Sequence, residues 1–327
     1  MVRKTRRIIS TLIRASGAGK HFGSVQALDS IDLQIQSGEI IGIVGPSGSG
    51  KTTTIRLLLG LYEPSHGHVE VFDARSGDFS RVDRERIGYL PQHFLLYEDL
   101  TVTENLLFAA GIYGLGPRQR RDRIPRLLER LELTDAKDRL ARDISGGMQR
   151  RVALAATLIH QPDLIVLDEP TAGLDPVLRE SIWQMFAELR AQGASLVITT
   201  QYITETENCD RVILLNDGRI VASGAPEELR SQVFGGELVR LKSRDLTPEL
   251  AVHLLSLDYV LRGQRTAPDE IELVVEAAHE AIPRLNDEMR QMGFEIDELE
   301  EIQLSLDAVF VELVRNARDD ERNALRA

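Results

Sequence analysis

One short segment constrains this chain more than any other. Gly45-Pro46-Ser47-Gly48-Ser49-Gly50-Lys51-Thr52 fits G-x-x-x-x-G-K-[ST] at every fixed position. The continuous apolar run Ile40–Val44, of buried-strand length, leads into it, and helical spacing over 52–61 follows. A strand that feeds a glycine-rich turn and then a helix brings free backbone N–H groups and the positive helix end to one point. Glycine lets the chain approach phosphate oxygens closely. Lys51 reaches the outer phosphates of a nucleoside triphosphate, and the Thr52 hydroxyl can ligate Mg²⁺. The candidate phosphate site is therefore Gly45, Pro46, Ser47, Gly48, Ser49, Gly50, Lys51, Thr52 and Thr53.

A partner for that loop lies downstream. The apolar run 164–167 predicts a buried strand, and Asp168-Glu169-Pro170 follows it. Ligands bind at the carboxyl ends of strands in open α/β sheets. Asp168 is placed to hold Mg²⁺ through its water shell, and Glu169 to orient and polarise an attacking water. Ser195–Thr200 reads as another buried strand. The runs 212–216 and 219–222 flank Asp217-Gly218, a hairpin turn signal. Buried strands alternating with helices from about Leu12 to Gly224 predict a mainly parallel sheet covered on both faces.

These motifs fit any P-loop nucleoside triphosphatase, and the next one narrows the class. Asp143-Ile144-Ser145-Gly146-Gly147-Met148-Gln149-Arg150-Arg151 stands just before the helical stretch 152–159. It resembles the signature loop of ABC ATPases. In that family two subunits pack head to tail, so the resemblance implies that Ser145 and Gly147, with Gly146 between them, meet the γ-phosphate of ATP held by the other subunit. Further matches follow in the family's order. Lys20-His21-Phe22-Gly23 resembles the adenine-stacking loop, with Phe22 as the ring. Tyr89-Leu90-Pro91-Gln92 resembles the Q-loop, where Gln92 reaches toward Mg²⁺ and water. Thr171-Ala172-Gly173-Leu174-Asp175-Pro176 resembles the D-loop, which places Asp175 at the dimer interface. The resemblance covers about residues 12–235.

Three features are similar to the ABC-2-type, drug-resistance exporter branch: the stretch 96–105 after the Q-loop, the Ser-Gly-Gly-Met-Gln-Arg-Arg wording of the signature, and the stretch 304–313 near the end. What the resemblance implies is an ATP- and Mg²⁺-dependent ATPase subunit serving a separate membrane-spanning permease. It would act as a homodimer or ABC heterodimer, cytoplasmic and peripheral on the inner face of the membrane. The apolar region 95–107 would line the groove that receives the permease; ordinary packing of a helical subdomain is the alternative for the same residues. One position departs from the pattern. Most of the family has a histidine where Gln201 stands, and an amide can donate to phosphate but cannot carry a proton's charge. With Lys51 and Glu169, Gln201 completes the expected catalytic set. A regulatory subunit with weak hydrolysis is the alternative that this glutamine raises, and a non-transport ABC ATPase is a third class.

Composition bears on the rest. At about 100–200 residues per domain, 327 residues predict two domains. No apolar run approaches the roughly 20 residues that span a bilayer. Residues 241–327 hold 10 Lys/Arg and 20 Asp/Glu, hence −10 of the total −12. An acidic protein with an acidic end argues against nucleic acid as a partner. The residues 1–11 read as a basic tail carrying Arg3, Lys4, Arg6 and Arg7, with contact to a membrane surface as a second reading. Composition shifts at Gly235-Gly236. Beyond it, strands at 237–243, 258–266, 271–276 and 294–299 alternate with helices at 248–256, 279–292 and 305–316. That β-α-β-β-α-β order predicts a small α+β, ferredoxin-like accessory domain over 237–327. Cys209, the single cysteine, reads as a small buried apolar residue in a reducing compartment. His66 and His68 read as exposed turn residues.

Overall fold

A computed structural model describes residues 11–93, 95–302, 306, 309, 310 and 313. The basic tail lies outside these residues up to Thr11, as does most of the helix expected at 305–316. The chain divides between Ser223 and Gly224 into two compact units.

In the first unit, β1 (Thr11–Phe22) and β2 (Val25–Gln36) form an antiparallel pair, and β3 (Ile40–Val44) leads through the glycine loop to α1 (Lys51–Leu58). Strands β4 (His66–Val71) and β5 (Ala74–Arg75), helix α2 (Arg81–Glu85) and strand β6 (Ile87–Leu90) follow. A helical stretch comes next, with α3 (Val102–Ile112), α4 (Pro117–Arg130) and α5 (Gly146–Leu158). The chain returns to the sheet with β7 (Leu164–Asp168), α6 (Pro176–Gln192), β8 (Ser195–Thr200), β9 (Arg211–Asn216) and β10 (Arg219–Gly224).

Two sheets result. The larger runs β10-β9-β3-β8-β7-β6, with β9, β3, β8, β7 and β6 joined by parallel pairings. Every residue of β3, β7 and β8 is buried, as strands covered on both faces require. Asp217 and Gly218 both take positive φ, 46° and 78°. That is the conformation a two-residue hairpin between β9 and β10 demands.

The second sheet, β2-β1-β4-β5, is antiparallel and comes in addition to the expected mainly parallel one. Its signal was alternation: Ile31, Leu33 and Ile35 are buried while Asp32 and Gln34 between them are exposed. A period of two marks a sheet with one covered face.

The helical stretch is closed by its caps. Thr101 and Glu104 form a reciprocal capping box at the start of α3. The apolar region 95–107 divides between buried and exposed side chains. Val102 and Leu106 are buried, whereas Leu95, Tyr97, Leu107 and, just beyond, Phe108 and Ile112 are exposed.

In the second unit, α7 (Pro226–Phe234) packs against β11 (Glu237–Lys242). This pairing draws the division back to residue 223, ahead of the compositional shift at Gly235-Gly236. Then come α8 (Pro248–Leu255), β12 (Val260–Ala267), β13 (Glu270–Val275), α9 (Ala278–Gln291) and β14 (Glu298–Ile302). The antiparallel sheet runs β12-β13-β11-β14, the arrangement of a split βαβ unit. Val239, Leu241, Ile271 and Leu273 from the strands meet Leu250, Leu254, Leu285 and Met289 from the helices.

The last strand was expected at 294–299 and pairs four residues later. Phe294 and Ile296 pack against the core outside the ladder. Register is held by cross-strand pairs instead, Lys242 to Glu298 at 2.6 Å and Arg240 to Glu300 at 3.1 Å. Of the expected last helix, Leu306 and Val309 are helical and buried. No helix among the described residues is long and apolar enough to cross a membrane.

Candidate functional site

The carboxyl ends of β3, β6, β7 and β8 meet at one point, and each delivers part of a site. From β3 the chain turns through the glycine loop. A Cβ on Gly45 would lie 2.1 Å from the Leu215 carbonyl oxygen, so nothing larger than glycine fits. Gly50 takes φ 107° as the cap of α1, and no side chain caps that helix start. Its first-turn N–H groups therefore point outward without a side-chain acceptor. Lys51 is nearly buried, and its ammonium donates to the carbonyls of Gly45 at 2.7 Å and Pro46 at 3.1 Å. Burial pushes its pKa down, against the pull of Glu169 and Asp168. An ammonium in that state gains from a phosphate more than one already immersed in water does.

Asp168 ends β7 with 1% of its surface exposed. Its Oδ2 accepts from the Thr52 hydroxyl at 3.0 Å and its Oδ1 from the Thr199 hydroxyl at 2.5 Å. A hydroxyl and a carboxylate side by side are the oxygen donors that a hard divalent cation takes, water and phosphate completing the shell.

Glu169 follows with φ 53°, left-handed for a residue with a side chain. Such a conformation costs on the order of 1–3 kcal/mol and persists only where surroundings enforce it. Here its N–H donates to the Thr199 carbonyl at 3.1 Å and hydroxyl at 3.0 Å. Arg150 of α5 grips the other side, donating to the carbonyls of Pro170 at 2.9 Å, Asp168 at 3.2 Å and Glu169. The Glu169 carboxylate is held by two amides: Gln92, after β6, donates at 3.2 Å, and Gln201, after β8, at 2.6 Å.

One cavity is lined by Ser47, Gly48, Gly50, Lys51, Thr52, Thr53, Gln92, Glu169, Gln201 and Ala27. The structure thus gathers most of the expected phosphate, cation and catalytic residues from separate parts of the chain; Gly45 and Pro46 are bonded to Lys51, and Asp168 to Thr52, without lining the cavity. Ser49 is buried within the loop. The remaining expected residues do not line this cavity. Phe22, at the end of β1, is 43% exposed and stands edge-on to Tyr62, ring centroids 5.2 Å apart. Ser145, with Gly146 and Gly147 after it, caps the start of α5, its hydroxyl accepting from Met148 N–H at 3.3 Å. Asp175 caps α6 through Leu178 N–H at 3.0 Å.

Sequence reasoning gave no role to two residues that matter here. Thr199 bonds both acidic neighbours; its signal was a hydroxyl following the apolar run 196–198 of a buried strand. Arg150 braces Glu169; its signal was a cation near a helix N-terminus, where the dipole disfavours one.

A phosphate-sized loop at a helix start, beside two carboxylates on the next parallel strand but one, defines a P-loop nucleoside triphosphate-binding domain. Residues 28–172 match the family model described as ABC transporter. The chain is 36% identical over 314 residues to the daunorubicin resistance ATP-binding protein DrrA3 of Streptomyces coeruleorubidus, covering 94% of this chain and 97% of that one. It is 37% identical over 227 residues to the probable multidrug ABC transporter ATP-binding protein YbhF of Escherichia coli K12, covering 69% of this chain and 39% of that longer relative. Among solved structures it resembles a dimeric ATP-binding cassette in a post-hydrolysis state bound to ADP and Pi. That likeness has a TM-score of 0.61 and 30% identity, over 65% of this chain and 98% of the other. The chain belongs to the family of ABC transporter ATP-binding proteins, the ABC ATPases.

Proposed function

We propose that this site hydrolyses MgATP and that closure of two such sites drives a separate membrane-spanning exporter. The observation that carries the reading is the Glu169 carboxylate, held by the Gln92 and Gln201 amides beside Lys51 in one cavity. Lys51 and the backbone N–H groups of the loop 45–53, Pro46 excepted, hold the phosphates, and Phe22 stacks on adenine. Thr52, Gln92 and Asp168 hold Mg²⁺, which when bound neutralises charge on the outer phosphates. Glu169 orients and polarises water. Gln201 donates to the γ-phosphate, and its short contact with Glu169 supports a working rather than a vestigial role.

Gly146 supports the head-to-tail arrangement. A Cβ there would meet nothing within 4 Å among the described residues, and its φ is not left-handed. Neither packing nor conformation among the described residues asks for glycine, which supports an outside partner as the reason for it. That partner is ATP held by a second copy or an ABC partner, met by Ser145, Gly146 and Gly147, with Asp175 in the D-loop alongside. Relatives named for drug resistance and Nod factor export support the direction outward. The exposed Leu95, Tyr97, Phe108 and Ile112 offer the permease an apolar surface. Residues 237–327 add no chemistry to the site, and the protein works at the cytoplasmic face of the membrane.

Glu169→Gln tests the reading. It keeps the shape, removes the base and should accumulate an ATP-bound dimer, seen by gel filtration in saturating MgATP. A variant that stays monomeric, or that hydrolyses ATP at the parent rate, refutes it.

A further inference from the structure

Glu205 lies beyond Gln201 and is buried, with 3% of its surface exposed. Both carboxylate oxygens are engaged. Oε1 accepts from the Thr171 hydroxyl and Oε2 from the Thr200 hydroxyl, each at 2.7 Å. Arg179 Nε of α6 lies 3.3 Å from Oε1. Thr171 sits just past Glu169, with only Pro170 between, and Thr200 immediately precedes Gln201. One buried carboxylate therefore joins the two chain segments that deliver Glu169 and Gln201 to each other.

The direction of the hydrogen bonds sharpens the point. A threonine hydroxyl has one proton. Thr200 gives its proton to Glu205, and its oxygen accepts from Tyr202 N–H at 3.0 Å. The residues on both sides of Gln201 are thereby tied to Glu205, Thr200 directly and Tyr202 through the Thr200 hydroxyl. Arg179 completes the bracket: its guanidinium lies 4.6 Å from the Tyr202 ring and donates to the Leu174 carbonyl at 3.3 Å. None of Thr171, Thr200 and Arg179 belongs to the phosphate loop.

We infer that Glu205 is a positioning residue for hydrolysis, holding Gln201 against Glu169 through Thr200 and Thr171. This rests on the reading of Glu169 and Gln201 given above. A neutral amide of the same shape offers one accepting oxygen and an NH₂ that only donates, so one threonine hydroxyl loses its acceptor. The consequence falls on turnover, because small displacements of reacting groups lower rates steeply, and not on nucleotide affinity.

The test uses the full chain and four variants: Glu205→Gln, Glu205→Asp, Gln201→Ala and the Glu205→Gln/Gln201→Ala double. Steady-state phosphate release gives kcat, a fluorescent ATP analogue gives Kd, and Trp183 fluorescence reports folding. Glu205→Gln should lower kcat about 10- to 100-fold with Kd unchanged. Glu205→Asp, which keeps the charge, should recover part of that loss. Gln201→Ala should cost less in the Glu205→Gln background than alone, since coupled residues are not additive. Thr200→Val probes the same link should Glu205→Gln fail to fold. Fully additive losses, parental kcat, or a matching loss of nucleotide affinity would overturn the inference. Undiminished turnover of Gln201→Ala with Glu205 intact would instead overturn the site reading beneath it.

Discussion

Replacing Thr199 with valine removes a hydroxyl from a fully buried position while keeping the side chain's shape. That hydroxyl donates to Asp168 Oδ1 at 2.5 Å and accepts from Glu169 N–H at 3.0 Å. A hydrogen bond to an ionised group contributes about 1.5–3 kcal/mol and a neutral one about 0.5–1.5 kcal/mol. The two losses are unequal. Glu169 N–H keeps the Thr199 carbonyl at 3.1 Å and is not orphaned, whereas Asp168 Oδ1 loses its donor. The expected destabilisation is therefore about 2–3 kcal/mol, dominated by the charged bond. Trp183, the single tryptophan, is buried in α6 of the first unit, so its fluorescence follows that unit alone through urea unfolding. At a slope of about 2–3 kcal/mol per molar, the midpoint should fall by about 1 M. Turnover should fall as well, because the left-handed Glu169 loses one of the bonds that hold it in place. Thr199→Ser restores the hydroxyl and should restore both. An unmoved midpoint with full turnover in the valine variant would refute the reasoning, as would a serine variant no better than valine.

Gln201→Ala should lower kcat on the order of 10²-fold, as loss of one donor to a developing charge does, while Gln201→His retains turnover; phosphate release at saturating MgATP measures both. Burial, with Asp210 and Glu205 adding to it, pushes the Cys209 thiol pKa well up. The native protein should resist an aromatic disulfide reagent at pH 8 and react fully in guanidinium chloride. The native thiol keeps its proton where the unfolded one releases it, so stability should decline as pH rises past the ordinary thiol value of about 8.5. Urea midpoints at neutral and alkaline pH check the sign.

How much of this was legible in the sequence depended on the range of each signal. The glycine loop and the strand ending in Asp168-Glu169 are local: a turn chemistry and a run of apolar residues suffice, and both stand where expected. The meeting of Gln92, Glu169 and Gln201 is not local, since it needs the strand order β3-β8-β7-β6; the family resemblance supplied it. Thr199 and Glu205 are non-local as well, and no motif covers them. Each acts through a hydrogen bond to a residue far along the chain or across a loop, and a single Thr or Glu carries no pattern. The strand expected at 294–299 lies at 298–302, because Phe294 and Ile296 pack against the core outside the ladder. Ionic pairs with Arg240 and Lys242 set the register instead.

The division between the units leads to a further expectation. Each expected or observed site residue from Phe22 to Gln201, and Glu205 behind them, falls before Ser223. The core around Ile43, Val166 and Val197 draws on residues of the first unit, and that around Val239, Leu273 and Leu285 on residues of the second. Burial supplied from within one unit is kept when the other is removed, so a chain ended after Ser223 should fold with a cooperative Trp183 transition and bind ATP. A chain ended after Gly235, where composition shifts, keeps α7 but lacks the β11 it packs on. Leu229, fully buried in the complete protein, stands in that helix. Taking away the strand that a helix packs on uncovers apolar surface, which lowers solubility. The longer truncation should therefore aggregate more readily than the shorter one, a reversal of the usual advantage of keeping more of a chain. Light scattering and nucleotide binding on the two proteins decide it. A shorter protein that is folded by circular dichroism yet binds no ATP would show that the second unit takes part in the site.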